Sequence, residues 1–436
     1  MSGIQNDTMS VRNKARRARE STFVLQAADG TTRSTVLLAV KEALLARRDE
    51  VFTANNIDLE RAEAEGVAVP LVKRLKFDEK KLNTVVAGLD ALRGLPDPVG
   101  RVLERRELDD GLILSRVSTP LGVVGMIFES RPDALVQIAS LAIKSGNALI
   151  LKGGSEARES NRVLAAIIAD ASRTAGLPDG WVHLIESRED VRALLEQDEY
   201  VDLLVPRGSN EFVRFIMDNS RIPVLGHADG ICHVYLDATA EADVAGPLVM
   251  DSKTQYVAVC NAAETLLVHA EAAPRLLPEI GAALAEAGVE LRACPRARGF
   301  LPDASEAGET DWESEYLDMI LAVKVVDSMD EAITHINRYG SHHTDAIITA
   351  DEAAAESFLR RVDSASVMWN ASTRFADGYR YGLGSEIGIS TARIHARGPV
   401  GIEGMMSYKW LLRGNGQIVA DYAEGRRSFT HRELDA

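Results

Sequence analysis

LGVVGMIFESRPDALVQIASLAIKSGNALILKGGSEA, residues 121–157, decides the fold. LGVVGMIFE has the near-continuous apolar run of a strand buried on both faces. DALVQIASLAIKSG follows at helical spacing, and Gly146 is placed to close that helix. NALILK is a second buried strand. A second helix, SEARESNRVLAAIIADASRTAG, is expected to open at Ser155 as its N-cap and to end at Gly176. Strand, helix, strand, helix is the signature of a parallel sheet with crossover helices. WVHLIE, VDLLVP and PVLGH carry the alternation on to about residue 236.

Outward from this core, residues 11–92 read as helices, with apolar residues at helical spacing and charged ones between them. Leu95-Pro96-Asp97-Pro98 ends that pattern. RVLERRELDDGLILSRVSTP then alternates around Asp109-Asp110-Gly111 and reads as a hairpin. Residues 244–368 return to α/β alternation, with a helix, Cys260, the strand TLLVH, an Ala-rich helix at 271–287, then the strands LAVKVV and DAIIT. Residues 369–404 are rich in Gly, Ser and Thr with little periodicity, and a loop of that length in a compact domain is usually functional. SYKWLLRG reads as a strand. The tail EGRRSFTHRELDA carries no reading beyond default disorder.

Composition narrows the classes. The chain has 436 residues, room for two or three domains, with a net charge of −16 and no long basic block to offset it. Nucleic acid and anionic membranes are therefore poor partners, and any anionic ligand needs a local Arg/Lys pocket. No segment has the apolar length of a membrane span and no apolar stretch follows the basic N-terminal residues, so a cytoplasmic location is expected. The three cysteines, Cys232, Cys260 and Cys294, form no CxxC pair, which argues against a zinc ribbon and a disulfide framework.

Several short patterns carry chemistry. Cys260 lies where a polar helix meets a buried strand, a place from which a thiol can face a cleft, although a single cysteine is more often an inert small hydrophobe. GMIFESRP ends a strand at Ser130 and Arg131, where parallel sheets bind ligands. In ILKGGSEA, Lys152 ends a strand and two glycines precede a helix start. The free N–H groups there suit a phosphate, and the pattern suits an ordinary helix-entry turn equally well. VPRGSNEF repeats that logic at Gly208-Ser209, and two such turns in one sheet make a dinucleotide plausible. HINRYGSHHTD offers His335, His342, His343 and Asp345, but in no common zinc spacing, so no metal is expected. Ser372, Thr373, Arg374 and Arg397 lie in the glycine-rich loop and suit a small carboxylate-bearing substrate.

Together, GMIFESRPDALVQIASLAIKSGNALILKGGSEA, YVAVCNAAETLLVH, VVDSMDEAITHINRYGSHHTDAII and NASTRFADGYRYGLGSEIGISTARIHARGP resemble the glutamate-5-semialdehyde dehydrogenase (gamma-glutamyl phosphate reductase) family, a branch of the aldehyde dehydrogenase superfamily. The match runs from about residue 11 to 419. It implies NADPH-dependent reduction of L-glutamyl 5-phosphate to L-glutamate 5-semialdehyde with release of phosphate, the second step from glutamate to proline. It implies an α/β, aldehyde-dehydrogenase-like fold: a Rossmann-like cofactor domain (1–98 and 118–236), a catalytic α/β domain (237–404) and a small β oligomerisation extension with tail (99–117 and 405–436). It also implies a homo-oligomer and leaves room for association with glutamate 5-kinase, the upstream kinase.

By the same resemblance Cys260 is the nucleophile. Lys152, Gly154, Ser155, Gly208, Ser209 and Glu315 hold NADPH, with Lys152 at the adenine ribose and Glu315 at the nicotinamide ribose. Ser155 stands where NAD-preferring members often carry Glu, which leaves room for a 2′-phosphate. Arg131, Ser372, Thr373 and Arg374 are the expected substrate contacts. Ser130 replaces the oxyanion-binding Asn of hydrolytic members. Their general-base Glu aligns near Gly226, so no carboxylate would activate water at the thioester. An acylating dehydrogenase for another acyl phosphate or acyl-CoA, and a non-catalytic nucleotide-binding scaffold, are the competing readings.

Overall fold

The computed structural model describes residues 9–435 apart from 68, 130, 228, 384 and 385. It divides into two compact units: Met1–Leu225 with Leu383–Gly388 and Val400–Ala436, and Gly226–Gly382 with Ile389–Pro399.

The first unit is built on a four-stranded parallel sheet in the order Val182–Ile185, Ala148–Lys152, Val123–Phe128, Leu203–Arg207. All six residues of Val123–Phe128 are buried, as the unbroken apolar run requires. The chain moves outward from this strand in one direction and then returns to its other side. The direction therefore reverses between Val123–Phe128 and Leu203–Arg207, and the carboxyl ends of those two strands form the crevice where open α/β sheets bind ligands. Gly125 sits between Ile150 and Leu204 in register, and a Cβ there would lie 2.4 Å from Leu204 Cδ2.

The helix Pro132–Ser145 begins with proline, whose missing N–H costs nothing in a first turn, and ends at Gly146 in the left-handed conformation (φ 74°). The next helix corrects the sequence reading. Ser155 does not cap it: a three-residue 3₁₀ turn, Ser155–Ala157, comes first, and the α-helix is Arg158–Thr174. Its cap comes from elsewhere in the chain. Buried Asp58, on the helix Arg48–Ala64, accepts the N–H of Glu159 (3.2 Å) and the N–H and hydroxyl of Ser160 (2.8 Å each). A carboxylate at a helix N-terminus satisfies orphan donors and the helix dipole together.

The expected hairpin is present as Val102–Asp109 and Leu112–Pro120, turning at Gly111 with φ 68°. It forms a four-stranded antiparallel sheet with Met406–Arg413 on one edge and Arg432–Leu434 on the other. The tail is thus ordered where disorder was expected. Arg432 pairs with Glu107, Arg427 lies 3.0 Å from Asp109, and Tyr422 stacks on Phe429 at 4.2 Å between ring centres. These contacts use the unpaired edge of Val102–Asp109, a partner that local composition does not reveal.

The second unit holds a seven-stranded parallel sheet in the order Ser305–Glu306, Glu290–Ala293, Ile320–Val326, Ala263–His269, Cys232–Leu236, Thr344–Ile348, Ser366–Trp369. Cys232–Leu236, assigned from sequence to the end of the cofactor domain, lies near the middle of this sheet. Side-chain alternation separates two cores: Val234, Leu236, Leu266 and Val268 pack on one face, Tyr235, Leu267, Ile347 and Phe358 on the other. Among the described residues no helix is long and apolar enough to cross a membrane.

Candidate active site

In the first unit, two strand ends run into glycine turns. Lys152 closes Ala148–Lys152 and is followed by Gly153 and Gly154. A cavity of about 290 Å³ opens beside them, lined by Gly153, Gly154, Ser155, Arg158, Asn161, Arg162 and the Glu186-Ser187 turn among others. A Cβ on Gly153 would lie 2.0 Å from Asn161 Nδ2, so the bare backbone is what keeps this wall open. Asn161 is buried, and its Oδ1 has no hydrogen-bond partner among the described residues. Arg162 donates to Glu186 at 2.8 Å, and Arg158 to its chain neighbour Glu159 at 3.0 Å. An orphaned acceptor, two guanidinium groups and a glycine wall fit the adenosine end of a phosphorylated dinucleotide.

The switch-point crevice holds the second turn. Ser209 caps the helix Asn210–Asn219, its side chain accepting from the Phe212 N–H at 3.4 Å. The Glu129 carboxyl packs on Gly208, where a Cβ would approach it to 3.0 Å. Burial raises the pKa of Glu129; Glu156 adds to the shift, while Lys152 and the Ser209 N–H oppose it. Lys152, Gly208 and Ser209 are therefore gathered around one carboxyl group, as a common binding region demands. Arg131 stands at the head of Pro132–Ser145, its guanidinium 3.0 Å from Asp133. Ser130 lies outside the described residues.

In the second unit, Cys260 sits half-buried in a turn between the helix Ala242–Thr254 and the strand Ala263–His269. The turn is latched from several sides. Thr373 Oγ1 donates to the Asn261 carbonyl at 2.7 Å, Asn261 Nδ2 donates to the Ala376 carbonyl at 2.9 Å, and Ser252 donates to Ser372 at 3.2 Å. Ser372 and Thr373 are buried, and protein atoms take up their hydroxyls. The structure places them as supports of the Cys260 turn, where the sequence pattern suggests that they face substrate. Gly230 packs beneath: a Cβ there would lie 2.4 Å from the Cys260 Cα.

Arg374 belongs to the same support and brings charge. Its Nε donates to Gln255 at 3.0 Å, and Arg380 donates to its carbonyl at 2.9 Å. Burial, then Arg380, lowers the pKa of Arg374, and Cys260 opposes both, so the guanidinium lies in the field of the thiol. A cation there favours the thiolate, the reactive form. Cys232, by contrast, is fully enclosed; burial first and Asp345 next push its thiol well above the usual range, and it donates to the Cys260 carbonyl at 3.2 Å.

Glu315 is half-buried on the segment before the strand Ile320–Val326. That segment is tied to the Cys260 neighbourhood by Glu264, which accepts the Leu317 N–H at 3.2 Å and pairs with Lys253. His335, His342, His343 and Asp345 do not converge. His335 packs among Trp312, His233 and Tyr339; His342 bonds the Asp363 carbonyl; Asp345 bonds His233. Of these four, His343 is the one that reaches Cys260, joined by His227. Local sequence pattern does not single out His227, Arg380 or the Lys253–Glu264 pair. Arg158 and Arg162 do carry a local signal, being four apart on the helix that follows the glycine turn.

A parallel-sheet unit with paired phosphate-suited turns and a second unit presenting a cysteine beside an arginine define an aldehyde dehydrogenase architecture. The aldehyde dehydrogenase family model matches residues 3–293, and the chain belongs to that family and, within it, to the gamma-glutamyl phosphate reductases. Gamma-glutamyl phosphate reductase of Pelotomaculum thermopropionicum is 56% identical over 98% of this chain and 98% of its own, and that of Acetivibrio thermocellus 55% identical over 98% and 99%. The crystal structure of gamma-glutamyl phosphate reductase from Thermotoga maritima superposes with a TM-score of 0.92 at 40% identity, covering 94% of this chain and all of that one.

Proposed function

We propose that the protein reduces L-glutamyl 5-phosphate to L-glutamate 5-semialdehyde with NADPH, releasing phosphate, through a thioester on Cys260. The observation that carries this reading is the placement of Cys260 in the field of Arg374, with Arg380 behind it. The Arg374 guanidinium favours the thiolate, and the two guanidinium groups together suit a substrate that bears both a phosphate and a carboxylate.

The Cys260 sulfur attacks the acyl carbonyl, the C–O bond to phosphate breaks, and phosphate leaves with the bonding pair. The Cys260 backbone N–H and Ser130 are the proposed donors to the developing oxyanion, each worth about 10²–10³ in rate. Lys152, Gly154, Ser155, Gly208, Ser209 and Glu315 would hold NADPH, which would supply the hydride that reduces the thioester to a thiohemiacetal. Its collapse expels the Cys260 thiolate and leaves the aldehyde. Arg158 and Arg162 are the proposed partners of the 2′-phosphate. Arg131 and Arg374 are proposed to bind the substrate's anionic groups, and Ser372 and Thr373 to position Cys260. The general base of hydrolytic members aligns near Gly226, where the sequence offers no Glu to activate water.

The test is NADP⁺ reduction with glutamate 5-semialdehyde as a function of phosphate. Strict dependence on phosphate and loss of turnover in Cys260→Ser, with NADPH binding kept, is the expected result. Equal turnover with coenzyme A in place of phosphate, or substantial turnover by Cys260→Ser, overturns the proposal.

A homo-oligomer, formed in the cytoplasm through the antiparallel sheet, belongs to the same reading. Tyr408, Trp410 and Leu412 share one face of the edge strand Met406–Arg413 and are each about half exposed. An apolar stripe on an unpaired edge is a surface that a second copy would cover. Trp410→Glu is expected to lower the molar mass by light scattering; an unchanged mass counts against this surface. Association with glutamate 5-kinase is tested directly by co-sedimentation with that kinase.

A further inference from the structure

His227, Cys260 and His343 come from three distant parts of the chain and meet within the second unit. One potential ligand atom from each lies within 4.8 Å of the others. The two imidazoles meet edge to face, 4.9 Å between centres. Each ring is oriented through Nδ1: His227 by the Ile389 carbonyl at 2.9 Å and His343 by Thr344 Oγ1 at 2.8 Å. His343 is 1% exposed and its Nε2 has no hydrogen-bond partner among the described residues, a buried polar atom of a kind that native structures rarely leave unmet.

We propose that these three side chains form a site for a borderline divalent cation of the zinc type, which masks the nucleophile by binding its thiolate. The donor set is one sulfur and two imidazole nitrogens, the set that selects zinc over magnesium or calcium. Nδ1 partners that fix the rings are the usual outer shell of such sites. Metal–ligand bonds of about 2.0–2.3 Å need donors roughly 3.5 Å apart, so closure requires side-chain rotations of about 1 Å. Three protein ligands leave a fourth position for water.

His343 is ready for this role. Thr344 Oγ1 takes up its Nδ1, which leaves the buried Nε2, without a partner among the described residues, as the atom left for a cation. Binding replaces the Cys260 S–H bond with a metal–sulfur bond and releases the proton to solvent, without electron transfer. A metal-bound sulfur cannot attack an acyl phosphate. The site is thus a reversible block on Cys260 that responds to free zinc.

Cobalt(II) alone, titrated into the full-length protein without substrate or nucleotide, reads the site directly. A near-ultraviolet thiolate-to-cobalt band saturating at one equivalent and abolished by zinc is expected. Cys260→Ala should lack the band. His227→Gln and His343→Gln should each weaken binding about ten-fold or more, and Cys232→Ala should leave it unchanged. Because His343 is buried, each variant is first matched to the wild-type circular dichroism spectrum, and one folded histidine variant suffices. No band in the wild type, a band that survives in Cys260→Ala, or wild-type affinity in a folded histidine variant overturns the site. The readout uses no turnover, so it stands or falls separately from the proposed reaction.

Discussion

Lys253 Nζ lies 2.6 Å from Glu264 Oε2, and neither side chain is exposed to solvent. The pair joins the helix before Cys260 to the strand after it, and Glu264 also holds the Leu317 N–H near Glu315. Above about pH 7, where the Glu264 carboxylate is ionised, removing one partner strands a buried charge. Glu264→Leu or Lys253→Met is therefore expected to cost about 3–5 kcal/mol, and the double variant less than the sum of the two. Urea unfolding of the four proteins checks this; additive losses would show that the two charges are not coupled.

The same pair predicts a pH dependence. Burial raises the Glu264 pKa from 4.5 to about 7, with Lys253 opposing the shift. A raised folded-state pKa means that the folded protein holds the proton more tightly than the unfolded chain. The associated stability is complete below 4.5 and is lost as pH rises through 7. The stability of wild type minus that of Glu264→Gln should therefore fall across this window, by up to about 3 kcal/mol. A flat difference would place the carboxyl's titration elsewhere.

Cofactor choice should turn on the glycine-turn cavity. Ser155 and Arg158 both line it. Ser155→Glu brings a carboxylate toward the 2′-phosphate, and Arg158→Ala removes a cation. Each should raise the KM for NADPH about ten-fold or more while changing that for NADH little. Equal effects on both cofactors would move the 2′-phosphate away from this cavity.

Gly230 leaves no space for a side chain. An added Cβ meets Cys260 backbone, not a flexible side-chain end, at 2.4 Å. Gly230→Ala should cost about 1–3 kcal/mol and lower kcat more than it changes KM, because displacement of about 1 Å at a nucleophile can cost 10²-fold. Thermal unfolding and steady-state kinetics separate the two effects.

Alkylation at neutral pH should label Cys260 far ahead of Cys232. Arg374 favours the Cys260 thiolate, while enclosure and Asp345 hold Cys232 as the thiol. Peptide mapping after a short iodoacetamide pulse reads the order, and equal labelling would contradict the electrostatic difference.

The sheet of the first unit is legible in the sequence because its strands are continuous apolar runs ended by glycine turns. Val123–Phe128, Ala148–Lys152 and the Gly146 stop all lie where local pattern puts them. The failures share one cause. The cap of Arg158–Thr174 is Asp58, about a hundred residues away, so Ser155 is the best local choice and the wrong one. Arg432–Leu434 becomes a strand by finding the free edge of Val102–Asp109.

The sequence alone determined the family and the α/β class, and singled out Cys260 as the proposed nucleophile, because these rest on local periodicity and on motifs read in order. Tertiary structure decided what surrounds that cysteine. It turned Ser372 and Thr373 inward as latches, set Arg374 in the thiol's field, and brought His227 and His343 to Cys260. The reason is physical. Burial, charge proximity and donor geometry depend on distances between residues remote in the chain, and only packing of the parallel sheet and its loops sets those distances.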